Sequence, residues 1–464
     1  MNPLASTRAT ARKERHPIGL YVLFSTELWE RFSFYTMLSL LALYLNAAVS
    51  AGGMGWSLPD AQKTVATYLF LVYAGPVLGG WVADRFTGAR LAVTIGGIIM
   101  AVGHLLMAFP TVPLLFCALA CLVIGCAFFK PNVSTLIGDL YPDGSPLKDS
   151  AYNIFYMGIN IGAFAAAIVA EIMSQRFGYH WAFAIAGFGM ILSLVIFWGL
   201  QRHIQPIVCN AGHPALAGNI PEIAHAPSDL AMDRVPDRSR IIALLVIFAV
   251  VIIFWMANNM QFSTLIYWAD KNTDWSLSPF LLQVLAWLTF GTVKVDLANV
   301  SGVASNAINP FWIMALTYPL VGFWGFLNKR GKEPSTPTKM VYGMLFTALA
   351  FAFMAYAGVL GGDTGKVSPW WLISGYGLLT LGELLLSPMG LSLVSKVAPV
   401  RMRSMMMGMW FFAIALGGEL TVIGVYWDEW RHSTFFTLIA LLSLATALLL
   451  MLLLRPLKKS MPGA

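Results

Sequence analysis

The chain has 464 residues, of which 58% are apolar and only 11% charged, and its mean hydropathy is +0.71. A soluble domain is about 45–50% apolar and about 25% charged, so this chain cannot clothe a water-facing surface and is expected to be covered by lipid. Its net charge of +7 does not imply nucleic acid, because no basic patch is interleaved with aromatics; the basic residues sit in short loops between apolar runs, where anionic headgroups favour them.

In chain order, residues 1–17 read as a polar, basic tail. The apolar stretch that follows, Ile18–Leu45, is too long for the 7–15-residue core of a cleavable leader and carries Glu27, Glu30 and Arg31, so it is expected to be a first spanning helix. A span needs ~20 mostly apolar residues. That window predicts further spans at Thr64–Ala83, Leu91–Phe109, Pro113–Ile137, Ala151–Ile172 and Trp181–Gln201, then at Ile241–Ala269, Pro310–Leu327, Met340–Leu360, Pro369–Val394, Ser404–Tyr426 and Phe435–Leu454. The expected fold is an all-α polytopic membrane protein of about twelve transmembrane helices in two six-helix bundles, residues 18–201 and 241–455. Residues 202–240 contain Pro206, Pro214, Pro221, Pro227 and Pro236 and read as the linker between them; residues 456–464 form a short tail. Between Tyr267 and Pro310 the apolar stretch Phe280–Phe290 is too short to cross and is expected to lie at the interface.

Cys117, Cys121 and Cys126 share one apolar helix and Cys209 lies in the linker; without C-x-x-C or C-x-x-H spacing they suggest no disulfide framework, metal site or cofactor. Alternate loops differ sharply in charge. The side holding both termini and the linker collects 21 lysines and arginines, among them Arg85, Arg90, Lys148, Lys339, Lys396, Arg401 and Arg403. The other side has Lys63, Arg176, Lys271, Lys294, Lys366 and Arg431. Basic loops stay in the cytoplasm, so both termini are expected there, with the chain multi-pass in the plasma (inner) membrane.

Charge at the centre of a bilayer costs ~2.5–3.5 kcal/mol on insertion scales, so an intramembrane charge needs a reason. Glu27, Glu30 and Arg31 share one helical face by their i, i+3, i+4 spacing. Two carboxylates beside one guanidinium leave one acid unmatched, and that acid is expected to take up and release a proton; a plain Glu27–Arg31 staple would not need the extra carboxylate. Lys130 follows the apolar run 114–129, and the helix continues past it to Ile137, which keeps it from water. Glu383 lies deep within Trp371–Leu386 with no neutralising residue near it in its own helix, so its partner must come from elsewhere, and Lys130 is the expected one in the empty protein. His104 reads as a lone polar core residue, and the cluster Met402, Met405, Met406, Met407 and Met409 as packing.

The stretch Glu27-Leu-Trp-Glu30-Arg31-Phe-Ser-Phe-Tyr35 resembles the E-x-x-E-R-F-x-Y-Y motif of the proton-dependent oligopeptide transporter (POT) family, within the major facilitator superfamily. Gly79-Gly80-Trp-Val-Ala-Asp84-Arg85-Phe-Thr-Gly88 resembles that superfamily's loop between its second and third helices, where Gly80 would allow close packing and Asp84 would act at a helix end. Phe129-Lys130-Pro131-Asn132, Phe155-Tyr156-Met-Gly-Ile-Asn160-Ile-Gly162, Gln261-Phe-Ser-Thr264, Asn309-Pro310, Gly382-Glu383-Leu-Leu-Leu-Ser387-Pro388 and Met407-Gly-Met-Trp410-Phe411 are similar to further family signatures, in order along the chain. There are departures. Leu38 stands where many members carry a second arginine, and Ala66 where some carry a histidine. Asp270 resembles the family's outer-gate acid, without its two usual partners. The linker has no room for the extra helix pair of many bacterial members.

The resemblance implies a proton-coupled symporter importing di- and tripeptides, acting as a monomer with no enzymatic activity and no cofactor. It assigns proton coupling to Glu27, Glu30, Arg31, Lys130, Glu383 and Asp270. Substrate would be bound by Arg31, Tyr35, Tyr73, Lys130, Tyr156, Asn160, Asn309, Glu383 and Trp410. A zwitterionic dipeptide, at most ~7 Å long, needs a base for its carboxylate and an acid for its ammonium, and a cavity between two bundles with bases in one and an acid in the other meets both needs. The alternatives are a carrier of the same fold for another small anion such as nitrate, against which the whole E-x-x-E-R motif argues, and a membrane sensor that binds without transporting. A membrane-embedded enzyme would need a nucleophile–base set or a metal cluster; H-E-x-x-H is absent and the loops are short.

Overall fold

Lipid offers no partner to a backbone amide, so each apolar run satisfies its own as a helix. The computed structural model describes residues 15–142, 145–204, 232, 234–262, 264–275, 305, 308–427 and 429–463. The linker prolines from Pro206 to Pro227 and the expected interfacial segment Phe280–Phe290 lie outside the described residues. The helices are α1 (Ile18–Asn46), α2 (Leu58–Ala74), α3 (Pro76–Val82), α4 (Gly88–Leu106), α5 (Val112–Asp139), α6 (Leu147–Phe177) and α7 (Tyr179–Leu200). The second half continues with α8 (Asp237–Asn259), α9 (Thr264–Lys271), α10 (Ile308–Lys329), α11 (Thr336–Leu360), α12 (Pro369–Val397), α13 (Arg403–Glu419) and α14 (His432–Ser460).

Ten described stretches are long and apolar enough to cross a membrane. One of them, Asp60–Leu106, contains two legs. Gly75 just before α3 and Gly79 within it lie against Val123, Ala127 and Phe128, running with α5, whereas Gly96 and Gly103 of α4 lie against Gly125 and Ala118, running against it. The chain therefore reverses between α3 and α4, through a π-helical turn and Gly88 at φ +72°, a value that favours glycine. Helix α1, whose glutamates and arginine dilute its apolar character, brings the crossings among the described residues to twelve, six in each half.

Within the first half α1 packs on α6 and α7, and α4 on α5; within the second, α11 packs on α12 and α14, and α13 on α8. The halves meet where α2, α3 and α5 face α13, and where α6 faces α10 and α12. One apolar core runs through both halves and a second fills the far end of the α8–α14 half. Large apolar side chains such as Trp81, Phe188 and Leu452 are turned outward, as lipid contact requires.

Besides Thr64–Ala83, which breaks at Gly75 between α2 and α3, two expected spans deviate from a single α-helix. Ile241–Ala269 is interrupted by a 3₁₀ turn at Met260–Phe262, and the end of Ser404–Tyr426 tightens into 3₁₀ geometry from Leu420. The two departures are neighbours: Gly418 faces Asn259, and Gly424 faces Thr264. Glycine packing matters most at Gly79, where a Cβ would sit inside the Ala127 carbonyl. That carbonyl has lost its helical donor because Pro131 lies four residues on. Gly79→Ala is expected to destabilise by ~1–3 kcal/mol through overpacking. A thermal unfolding midpoint in detergent equal to the parent's would contradict it.

At the end bearing the start of α1, His16 hydrogen-bonds Tyr141 (2.8 Å) and Ser150 (3.3 Å), tying that start to the α5–α6 turn. At the opposite end of the second half, the Asp274 amide donates to the Val367 carbonyl and the Val367 amide to the Asn272 carbonyl, each at 2.9 Å. There Asp363, at φ +66°, also accepts the Ser433 amide at 2.7 Å and so caps α14.

Candidate functional site

Helical periodicity brings Glu27, Glu30 and Arg31 together on the buried face of α1, none more than 2% exposed. Arg31 forks onto Glu30, donating from Nη2 to Oε1 at 2.5 Å and from Nε to Oε2. Its Nε also lies 3.2 Å from Glu27 Oε1, and its guanidinium 4.9 Å from the Phe34 ring. Glu27 Oε2 is buried with no hydrogen-bond partner. As expected from the spacing, one arginine faces two carboxylates, and the geometry now separates them: Glu30 holds the guanidinium with both oxygens and Glu27 with one.

Lys130 sits on α5 at a bend prepared by Pro131, where Asn132 Nδ2 donates to the Phe128 carbonyl at 2.7 Å. Its Nζ lies 3.6 Å from the Tyr73 ring centroid and 4.7 Å from that of Phe411. An ammonium is drawn to the electron-rich face of a ring. Tyr73 stands at the α2–α3 joint and Phe411 on α13, so the lysine is held between the halves. The expected ion pair with Glu383 is not formed. Instead Glu383, on α12, accepts from the Tyr156 hydroxyl of α6 through Oε1 and from Asn309 Nδ2 of α10, at 2.8 Å, through Oε2. Asn309 also donates to Thr380 at 3.1 Å, and Asn258 reaches the same carboxylate. Neutral donors stabilise a carboxylate without cancelling its charge, which is why the acid tolerates burial without a lysine.

Tyr35, Tyr73 and Tyr156 keep some accessible surface, and Tyr35 lies within electrostatic reach of Arg31, Glu30, Tyr73 and Glu383. Asn160 is buried one turn beyond Tyr156 and donates to its carbonyl at 2.9 Å. Trp410 is 1% exposed, its ring set against Gly390 and edge-on to Phe248 and Trp255, so it packs α13 onto α12 and α8 rather than lining open space. Asp270 is exposed near the end of α9 and stands apart from the buried cluster. His104 is fully buried and neither ring nitrogen has a hydrogen-bond partner, as a lone core residue. Among the described residues no group of three or more His, Cys, Asp or Glu could hold a metal.

Sequence reasoning missed the seam below this site. Asp84 accepts the Ser404 and Met405 amides at 3.0 and 2.8 Å, capping α13 from the other half; here the expected helix-end role acts across the seam. Gly80 beside it packs on the Ser404 carbonyl, and Gly408 on that of Pro76. Arg403 donates to Asp139 at 2.6 Å, and Asp149 receives Lys339 and Lys396 at 2.7 and 2.5 Å. Lys339, Lys396 and Arg403 were expected to be ordinary loop charges. The signal that could have found them is an acid at the end of each facing helix, Asp139 and Asp149, beside small residues such as Gly138 and Ser395, which touch.

Comparison with known proteins agrees with this architecture. A family profile described as the POT family matches residues 90–212 and 219–425. An uncharacterised transporter, YclF, of Bacillus subtilis (strain 168) is 31% identical, covering 97% of this chain and 96% of that one. A di-/tripeptide transporter of Lactococcus lactis subsp. cremoris is 30% identical, covering 96% of each chain. A crystal structure of a mutant peptide transporter POT in complex with alafosfalin superposes with a TM-score of 0.66 at 30% identity, over 97% of this chain and 96% of that one.

Proposed function

The chain belongs to the POT family, and on that premise we propose that it is a proton-coupled symporter importing di- and tripeptides by alternating access. The observation that supports this reading is buried charge of both signs across the halves: Arg31 and Lys130, beside Glu27 and Glu30, in one, and Glu383, hydrogen-bonded to Tyr156 of the first half, in the other. A peptide's carboxylate is received by Arg31 and Lys130 and its ammonium by Glu383, with Tyr35, Tyr73, Tyr156, Asn160 and Asn309 as walls. Trp410 supports the wall from behind. Glu27 and Glu30 carry the coupled proton. The excess of basic residues at the end bearing both termini supports a cytoplasmic location for that end in the plasma membrane. The protein works as a monomer, with Asp270 acting at the outer end, and it performs no covalent chemistry on its cargo.

The test is uptake of labelled dialanine into proteoliposomes under an imposed inward proton gradient. Accumulation above equilibrium that a protonophore abolishes is expected, and nitrate should not compete. Binding without accumulation would make it a sensor, and nitrate accumulation without dialanine uptake would make it an anion carrier. Lys130→Ala is expected to lose the driven uptake, because only a cation can replace its hold on the carboxylate. Unaltered uptake and pH profile in that variant would remove Lys130 from the mechanism.

A further inference from the structure

Asp149, at the start of α6, accepts hydrogen bonds from four groups, all of them in the other half. They are Lys339 Nζ at 2.7 Å, Lys396 Nζ at 2.5 Å, Ser392 Oγ at 2.6 Å and Thr336 Oγ1 at 3.2 and 3.3 Å. Three of these donors have partners besides Asp149. Lys396 also donates to Thr336 Oγ1 at 2.8 Å, and Lys339 to Glu333 at 2.5 Å, with its Nζ 5.0 Å from the Trp324 ring. All four lie near two helix ends of one bundle, the first turn of α11 and the last two turns of α12.

Charge defines what this cradle takes. With Asp149 in place, two ammoniums face two carboxylates and the cluster is neutral. Withdrawing Asp149 leaves one net positive charge on a preformed set of four donors, and a partly buried charge in that state demands a counter-ion.

We propose that Lys339, Lys396, Ser392 and Thr336 form a binding site for a small oxyanion, a carboxylate or phosphate, which Asp149 fills when the halves meet and an external oxyanion fills when they part. The inference rests on the alternating-access reading, since the cradle must come free of Asp149. An oxyanion bound there excludes Asp149 and holds this end of the seam open by mass action, about twofold in population when its concentration equals its Kd.

The test uses the full chain and inorganic phosphate. In detergent, phosphate should raise the thermal unfolding midpoint of Asp149→Asn more than that of the parent, because the internal competitor is gone. Adding Lys396→Gln should abolish the gain. Equal responses in the single and double variants overturn the proposal. Should Asp149→Asn fail to fold, the parent with Ser395→Cys decides, because Ser395 is pressed against Gly138 in the closed seam. Phosphate should speed maleimide labelling of that cysteine by about twofold at its Kd, and an unchanged rate overturns the site. The same labelling in phosphatidylcholine nanodiscs with and without phosphatidylglycerol separates the sources. Acceleration by the anionic lipid alone assigns a headgroup, acceleration only by added phosphate assigns a soluble oxyanion, and neither overturns the proposal. Every readout registers binding or opening, so failed peptide uptake would not affect it.

Discussion

Glu27→Gln, reconstituted in liposomes, is expected to lose concentrative dipeptide uptake under a proton gradient while keeping counterflow exchange. The reason is a mismatch on α1. Arg31 can balance one carboxylate, and Glu30 already takes its fork with both oxygens. Glu27 touches the guanidinium with one oxygen at 3.2 Å and leaves the other without a partner in a buried place. A carboxylate so placed is held either by a proton or by a rearranged arginine, and the proposed coupling is a switch between the two. Exchange needs no net proton movement and should survive, whereas accumulation should fall to the level without a gradient. Glu30→Gln should lose accumulation too, and also weaken binding, because it frees Arg31 from its clamp. If both variants still concentrate dialanine, the proton does not travel by these acids.

Glu383→Gln is expected to weaken dipeptide binding by about tenfold or more, since a hydrogen bond to a charged group contributes ~1.5–3 kcal/mol and about 1.4 kcal/mol is a factor of ten. Tyr156 and Asn309 hold the carboxylate in place from two other helices without neutralising it, and an ammonium is the complement such a site lacks. Comparing dialanine with N-acetyl-dialanine as competitors gives the direction. Acetylation should cost the parent heavily and Glu383→Gln little. Equal penalties in the two would mean that Glu383 does not read the amino terminus, and the assigned polarity of the bound peptide would fall.

The charged face of α1 was legible because it needs only the helical period, and the spans because lipid enforces length. What could not be read were distances between groups far apart in the chain. Lys130 and Glu383 invite pairing on charge alone, yet the rings of Tyr73 and Phe411 take the lysine and Tyr156 and Asn309 take the acid. Lys339 and Lys396 counted wrongly towards exposure, because their partner Asp149 lies about two hundred positions away and in the other half. The turn at Met260–Phe262 escaped notice for a related reason: the apolar run continues through it, and only the neighbouring glycines of the α13 end accommodate it.

The capped junction of Asn272, Asp363, Val367 and Ser433 has a mechanical consequence. It fastens the end of α9 to the α11–α12 turn by backbone bonds, and that turn to the start of α14 through the Asp363 carboxylate. A brace of this kind resists sliding of these helix ends past one another. In the proposed alternating access it favours movement of the bundle as one body, and the charged seam at the other end is where the halves would part.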